Sequence, residues 1–352
     1  MSRVSVVIPC YNYGRFLREC VQSVLDDQPG SDVRVLIIDD ASPDGSAEVA
    51  RQLAAADRRI EVIAHQQNRG HIATFNEGVM DWADGDYCVL LSADDKLAPG
   101  ALRRATMFLD EHPDVGFAYG HVVTFQQSGP LPAARTRLRG TTVWPGRSWL
   151  RDMFRAGDNP IASAEVVVRT SLQHRVGPYD SRLPHTSDLG MWLRLAVHAD
   201  VGFIRADQAY YRRHASNMSS DYAAPIQGLR ERRRAYDLLL ERAGADLPDA
   251  EGLADLVHRR FAREALRAAN RAYDQRGTDA VAIDELEAFA FDCWPAAASL
   301  PAHVALRWRR RLGPDWVPYL RPIIGSALRH GVLERWRWRS VRHHGIWPRL
   351  MP

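Results

Sequence analysis

The residues best suited to chemistry in this chain are two adjacent carboxylate pairs, Asp39-Asp40 in IIDD and Asp94-Asp95 in LLSADD, each closing an apolar run. Two carboxylates side by side at the end of a buried strand repel one another unless a cation or a hydrogen-bonding ligand offsets the charge. A hard divalent cation bridging to diphosphate oxygens would do so, because Mg²⁺ is commonly held by one or two carboxylates together with substrate phosphates. In open α/β sheets ligands bind beyond the carboxyl ends of the strands, so acids placed there carry more functional weight than acids elsewhere. The plainer role for either pair alone is to cap the adjoining segment, Asp40 the ASPDGS turn and Asp95 the KLAPGAL stretch. Two such pairs at two strand ends favour the ligand.

Those pairs need a frame. The N-terminal part alternates short β-rich runs with helical periodicity, the pattern of βαβ units and a mostly parallel sheet. Strands are expected at Val4–Ile8, Val33–Asp39, Ile60–Ala64 and Tyr87–Leu91, separated by helices over Phe16–Leu25, Ser46–Ala55 and Ile72–Trp82. Residues 1–98 thus read as a nucleotide-binding half-domain. Residues 99–223 continue it with a helix at Pro99–Leu109, a strand at Val115–Val123, a mobile loop from Gln126 to Pro145, a strand at Ala164–Arg169, a helix at Leu189–Val197 and short strands at Val201–Ile204 and Ala209–His214. From about Ala224 the pattern is purely helical, through LRERRRAYDLLLERA and Phe261–Tyr273, giving a second region over 224–352.

Composition excludes several chemistries. The chain has 352 residues, 46% hydrophobic and 25% charged, within the ordinary range of soluble globular proteins. Its net charge of +3 gives no reason to expect a nucleic-acid partner. Lys96 is the only lysine, so there is no GxxxxGK[ST] phosphate loop, and any Schiff base would have to form on Lys96. PCYNYG stands after the first strand where a dinucleotide fold would need GxGxxG, which disfavours a dehydrogenase. Tyr11 and Asn12 in that turn suit a nucleotide base and its polar edge, or are simply turn residues. Cys10, Cys20, Cys88 and Cys293 are scattered in neither a disulfide framework nor a zinc spacing, and VSVVIP is too short for a signal peptide, so a reducing, cytoplasmic setting is expected.

Residues 301–352 carry eleven arginines against Asp315 and Glu334, with Trp308, Trp316, Trp336, Trp338 and Trp347. Ile324, Leu328, Val332 and Trp336 share a helical face, a pattern suited to peripheral contact with an anionic membrane or to packing on a partner, including a second copy of the chain. The plainer reading is that the tryptophans pack inward and the arginines are solvated.

Taken in order, VSVVIPCYNYGRFLRECVQSVL, VLIIDDASPDGS, NRGHIATFNEG, GDYCVLLSADDKLAPGAL and YDSRLPHTSDLGMWLRLA, with a looser YYRRHASNMS, resemble the family 2 glycosyltransferases of the GT-A fold from roughly Val4 to Ser219. The resemblance implies an α/β, Rossmann-like mixed sheet flanked by helices, here with a helical C-terminal extension. It also implies inverting transfer of a sugar from a nucleoside diphosphate, most often UDP, to a hydroxyl acceptor such as a glycan, lipid-linked sugar or natural product. Carried over by residue, Pro9, Tyr11 and Asn12 would line the base, with Asp39 or Asp40 at its polar edge and Arg69 near the donor. Asp94 would hold the ribose or sugar, and Asp95 would coordinate Mg²⁺ or Mn²⁺ across the diphosphate. Asp188 would be the general base, and His214 would reach the metal or diphosphate. Two positions depart from the pattern. Ser92 replaces an acid, truncating the DxD motif, and Ser187 replaces the glutamate that commonly precedes the base, leaving His185 or Thr186 to orient Asp188. A sugar nucleotidyltransferase, or a sugar-nucleotide binder without catalysis, are the alternatives; PCYNYG lacks the glycine-rich basic loop that the first would carry.

Overall fold

The computed structural model describes residues 2–127, 129–215, 217, 225–243, 246–274, 280–313 and 345. The first apolar run forms β1 (Arg3–Cys10), whose interior residues are buried on both faces, as in the centre of a helix-covered parallel sheet. β1 pairs in parallel with β2 (Asp32–Asp39) on one side and with β4 (Tyr87–Leu90) on the other, and β2 pairs with β3 (Ile60–Ala64). The intervening helices are α1 (Gly14–Leu25), α2 (Ser46–Ala56) and α3 (His71–Asn76). α1 buries Phe16, Leu17, Cys20, Val21 and Val24, one face of a 3.6-residue repeat.

α3 runs on into a π-helical turn over Glu77–Trp82, so the helix expected at Ile72–Trp82 widens halfway along. Gly78 lies where that turn meets the sheet: a Cβ there would stand 2.2 Å from Val7 Cγ1. Only glycine allows this approach.

Past β4 the sheet becomes mixed. Its further strands are β5 (Lys96–Leu97), β6 (Val115–Gln126), β7 (Thr141–Trp144), β8 (Val167–Arg169) and β9 (Asp200–Arg213). The nine strands run in the order β3-β2-β1-β4-β8-β6-β9-β5, with β7 also on β9. β8 is antiparallel to both β4 and β6, β6 and β9 are parallel, and β5 and β7 run antiparallel to β9. Around these lie α4 (Ala101–Glu111), α5 (Gly146–Ala156), α6 (Thr170–Val176) and α7 (Ser187–His198).

Two expectations are corrected here. The short strands at Val201–Ile204 and Ala209–His214 are one strand, β9, which ends one residue before His214. Its polar middle is paired rather than broken: Asp207 accepts from Arg135 Nε at 3.0 Å, and Gln208 Oε1 accepts from Arg104 Nε at 2.9 Å. The stretch from Gln126 to Pro145, expected as a mobile loop, contains β7 and is fastened to β9. Arg135 N–H donates to Asp207 Oδ2 at 2.7 Å, and the Tyr210 hydroxyl donates to Pro132 O at 3.0 Å.

The chain separates into two units, Met1–Leu150 with Asn159–Met218, and Arg151–Asp158 with Ser219–Pro352. In the second, α8 (Pro225–Ala243), α10 (Ala280–Cys293) and α11 (Pro301–Leu312) pack on α9 (Ala250–Asp274). Tyr236, Val257, Phe261, Leu266 and Leu306 are buried there, and Arg309 pairs with Asp274 at 2.9 Å. Trp308 on α11 is 57% exposed. Trp316, Trp336, Trp338, Trp347 and the face from Ile324 to Trp336 lie outside the described residues. No helix among the described residues is long and apolar enough to cross a membrane.

Candidate active site

Because β2 and β4 flank β1, their carboxyl ends bring the two acidic pairs to either side of the Tyr11-Asn12 turn. After β4 the chain turns on a hydrogen bond from Asp95 N–H to Ser92 O at 3.0 Å, and β5 then pairs with β9 at Tyr210 and Ala209. That pairing carries the end of β9 past the acids. Arg212 N–H donates to Asp95 Oδ1 at 3.0 Å, while Arg212 Nε donates to the Asp94 carbonyl at 2.8 Å. The guanidinium sits 4.5 Å from the Phe16 ring centre and 4.7 Å from that of Phe125, and pairs with Glu19 at 2.9 Å. Lys96 reaches the same Glu19 oxygen at 3.7 Å.

Asp94 and Asp95 are 6% and 5% exposed. Asp94 Oδ2 lies 3.0 Å from His214 Nε2 and accepts from Asn217 Nδ2 at 3.3 Å. Asn217 also accepts the His214 N–H and donates to the Arg212 carbonyl at 3.0 Å, closing the turn after β9. Burial, and then the charge of Asp94, push the Asp95 carboxyl well above the usual range, outweighing Arg212.

A divalent cation fits this donor set. Each carboxylate spends one oxygen on protein donors, and the excess negative charge is what a hard ion with diphosphate oxygens would neutralise. A cage of protein ligands is not what these residues form: among the described residues no three His, Cys, Asp or Glu side chains are grouped to hold an ion. His214 has Nε2 engaged by Asp94, so it would reach an ion only by giving up that bond.

The other acidic pair is divided in its use. Asp40 is consumed by the loop after β3: its Oδ1 takes Arg69 N–H at 2.8 Å and faces His65 Nδ1 at 2.7 Å, and its Oδ2 takes Gly70 N–H at 2.9 Å. Burial alone would raise this carboxyl, but the His65, Arg69 and Gly70 hydrogen bonds hold it below its ordinary value. Asp39 accepts Ser42 N–H at 3.2 Å on Oδ2, while its buried Oδ1 has no hydrogen-bond partner among the described residues. Asn12, in the left-handed region at φ 63°, donates its N–H to Ser42 Oγ at 3.0 Å, tying the turn after β1 to the turn after β2. Tyr11 is 49% exposed beside it, and Pro9 sits opposite Ile38 in the sheet. The Arg69 side chain is 59% exposed and braced at 3.0 Å by Glu77, which also holds His65 Nε2 at 2.8 Å.

Asp188 lies in the first turn of α7. Its Oδ1 accepts Leu189 N–H at 2.7 Å and its Oδ2 accepts Asn159 Nδ2 at 2.9 Å. Burial raises its carboxyl to about 6 against the pull of these bonds. Asn159, on a segment apart from His185 and Thr186, thus holds one oxygen of the Asp188 carboxylate. Upstream, His71 meets Pro184 O at 2.8 Å, and Asn76 exchanges hydrogen bonds with the Tyr179 backbone at 3.0 and 2.7 Å, seating the 179–186 loop on α3.

Sequence reasoning missed Arg212, Asn217 and Asn159. YYRRHASN points first to its histidine, although Arg212 and Asn217 also bond the acidic pair. Nothing in the spacing of Asn159 marks it, since its partner lies 29 residues on.

Residues 5–164 match the family described as Glycosyl transferase family 2. The uncharacterized glycosyltransferase YibD of Escherichia coli is 32% identical over 153 residues, 43% of each chain. Among solved structures, S. aureus TarS in complex with UDP-GlcNAc superposes with a TM-score of 0.57 at 15% identity, over 84% of this chain and 90% of that one. A mannosyltransferase from Pyrobaculum calidifontis in complex with GDP-Man and Mn²⁺ gives 0.51 at 18% identity, over 88% and 80%. These structures share the GT-A fold. Over residues 5–164 the chain thus carries the sequence pattern of a family 2 glycosyltransferase domain.

Proposed function

We propose that this glycosyltransferase moves a sugar from a nucleoside diphosphate, most often UDP in its family, to a hydroxyl of a glycan, lipid-linked sugar or natural product, with inversion at the anomeric carbon. The observation that carries this reading is the Asp94-Asp95 pair, buried at a strand end beside an exposed aromatic turn, with one oxygen of each carboxylate left for ligand. The nucleotide-sugar complexes of TarS and of the mannosyltransferase support it.

The base would lie against Tyr11, Asn12 and Pro9, with the unpartnered Asp39 Oδ1 accepting an imide N–H, a proton that uracil offers. Arg69 would meet diphosphate charge, and Asp94 would hold a ribose or sugar hydroxyl. Asp95, with His214 if it releases Asp94, would hold Mg²⁺ or Mn²⁺, whose chemistry is to offset charge developing on the departing diphosphate. Asp188 then accepts the acceptor's proton as its oxygen bonds to the anomeric carbon from the face opposite the leaving group. One displacement of that kind inverts the centre.

The test is sugar transfer and nucleoside diphosphate release with UDP, GDP, CDP and dTDP sugars and Mn²⁺, comparing wild type with Asp188→Asn. Undiminished transfer by Asp188→Asn would remove Asp188 from this role. No release by wild type with any donor would favour a binder without catalysis. A cytoplasmic enzyme with peripheral membrane contact through residues 301–352 is also part of this proposal. Val304, Trp308 and Leu312 are exposed one helical turn apart on α11, and Arg311 lies over the Trp308 ring at 5.7 Å. Equal co-sedimentation with anionic liposomes before and after truncation at Leu300 would sink that part.

A further inference from the structure

The polar groups around Asp188 carry an inference that rests on Asp188 being the base. Asn159 is fixed at both ends of its amide. Its Oδ1 accepts Ile161 N–H at 3.1 Å, and its Nδ2 donates to Asp188 Oδ2 at 2.9 Å. Exchanging oxygen and nitrogen would set two acceptors against each other and two donors against each other, so these partners determine the amide's orientation. The other Asp188 oxygen is held by Leu189 N–H within its own helix. Asn159 is therefore a side chain from another segment that restrains the carboxylate's rotation.

We propose that Asn159 is a positioning residue for catalysis, its amide fixing the Asp188 carboxylate for proton transfer from the acceptor hydroxyl. A hydrogen bond donated to a carboxylate also favours the ionised form, which is the form able to accept a proton. Here that bond opposes burial, the larger influence on Asp188. Ionisable groups on the surrounding segments include the Tyr179 phenol, Arg194 and His198 on α7, His71, His185, Asp158 beside Asn159, and the Asp180–Arg182 pair at 2.9 Å. Ser187 is buried but does not bond the carboxylate. Asn159 thus does the orienting that the residue before the base would otherwise perform.

Asn159→Asp separates this role from a merely structural one. It retains an oxygen to accept Ile161 N–H, while setting a carboxylate in place of the donor. Transfer would be followed across the pH range at saturating donor, alongside the melting temperature and the affinity for nucleoside diphosphate, with Asp188→Asn and Asn159→Ala as companions. In Asn159→Asp, kcat at neutral pH should fall by about tenfold or more, and the acid limb of kcat should move up by about one pH unit. Donor KM and melting temperature should stay close to wild type. Asn159→Ala should shift the limb the same way by a smaller amount. Wild-type kcat and an unmoved limb in Asn159→Asp, beside an inactive Asp188→Asn, overturn the inference and leave the base in place. A loss of kcat with an unmoved limb and a lowered melting temperature also overturns it, in favour of a purely structural role. An active Asp188→Asn removes the base and the inference with it.

Discussion

Asp39-Asp40 ends β2 and Asp94-Asp95 comes after β4, on either side of β1, and all four side chains are buried. At the first pair, the loop after β3 supplies backbone N–H groups from Arg69 and Gly70 together with His65, and Asp40 is held below its ordinary pKa. At the second, Asp95 receives one backbone N–H from Arg212, and burial beside Asp94 holds it well above. Two identical dipeptides therefore carry opposite energetics. What separates them is the supply of donors from the segment packed alongside: a saturated carboxylate acts as a structural clamp, and an undersupplied one is the kind of group proposed above to hold a cation.

The largest effect that tests this contrast is on rate. Asp95→Asn should lower metal-dependent transfer by about 10³-fold, read as release of nucleoside diphosphate. It should also raise the melting temperature of the ligand-free protein, because a strained buried charge is gone. Transfer at the wild-type rate would erase the distinction between the pairs.

Asp40→Asn should act in the reverse sense, lowering stability by about 3 kcal/mol, about 10²-fold in the folded-to-unfolded ratio, through weakened charge-assisted hydrogen bonds. The denaturant midpoint measures this, and kcat per folded molecule should hold. A carboxyl whose pKa is depressed by folding stabilises fully above its unfolded value of about 4, and this contribution is lost as pH falls through the lower folded value. The gap between wild type and Asp40→Asn should close in that window.

Asp188 adds a third environment, half-buried yet bonded at both oxygens, with its carboxyl raised to about 6. Protonation disables a general base, so kcat should fall about tenfold per pH unit below that value and stay level above it. A flat profile through this range would deny Asp188 the role. The smallest effect is expected at Asp39. Asp39→Asn should weaken UDP binding by about tenfold in calorimetry, the loss of one favourable hydrogen bond, with the melting temperature little changed.

The parallel half of the sheet was legible in the sequence because β1, β2 and β4 are buried apolar runs and α1 keeps a strict helical period. β5 was not, since two residues directly after Asp95 form a strand only by pairing with β9. β9 looked interrupted because Asp207 and Gln208 read as a polar break until Arg135 and Arg104 are seen to pair them. The candidate site showed the same division. Asp39, Asp94, Asp95 and Asp188 could be named from strand ends, a helix start and motif order. The difference between Asp39 and Asp40, and the parts taken by Arg212, Asn217 and Asn159, depend on contacts across tens to more than a hundred residues of chain, which no local pattern encodes.

Lys96 gives the site an unusual handle. As the only lysine in the sequence, it places the sole side-chain amine directly after the acidic pair, paired with Glu19, which also holds Arg212. Amine-selective acylation followed by peptide mass mapping would thus footprint one side chain, beside the proposed donor site. Its protection on adding nucleotide sugar would report occupancy without introducing any engineered label.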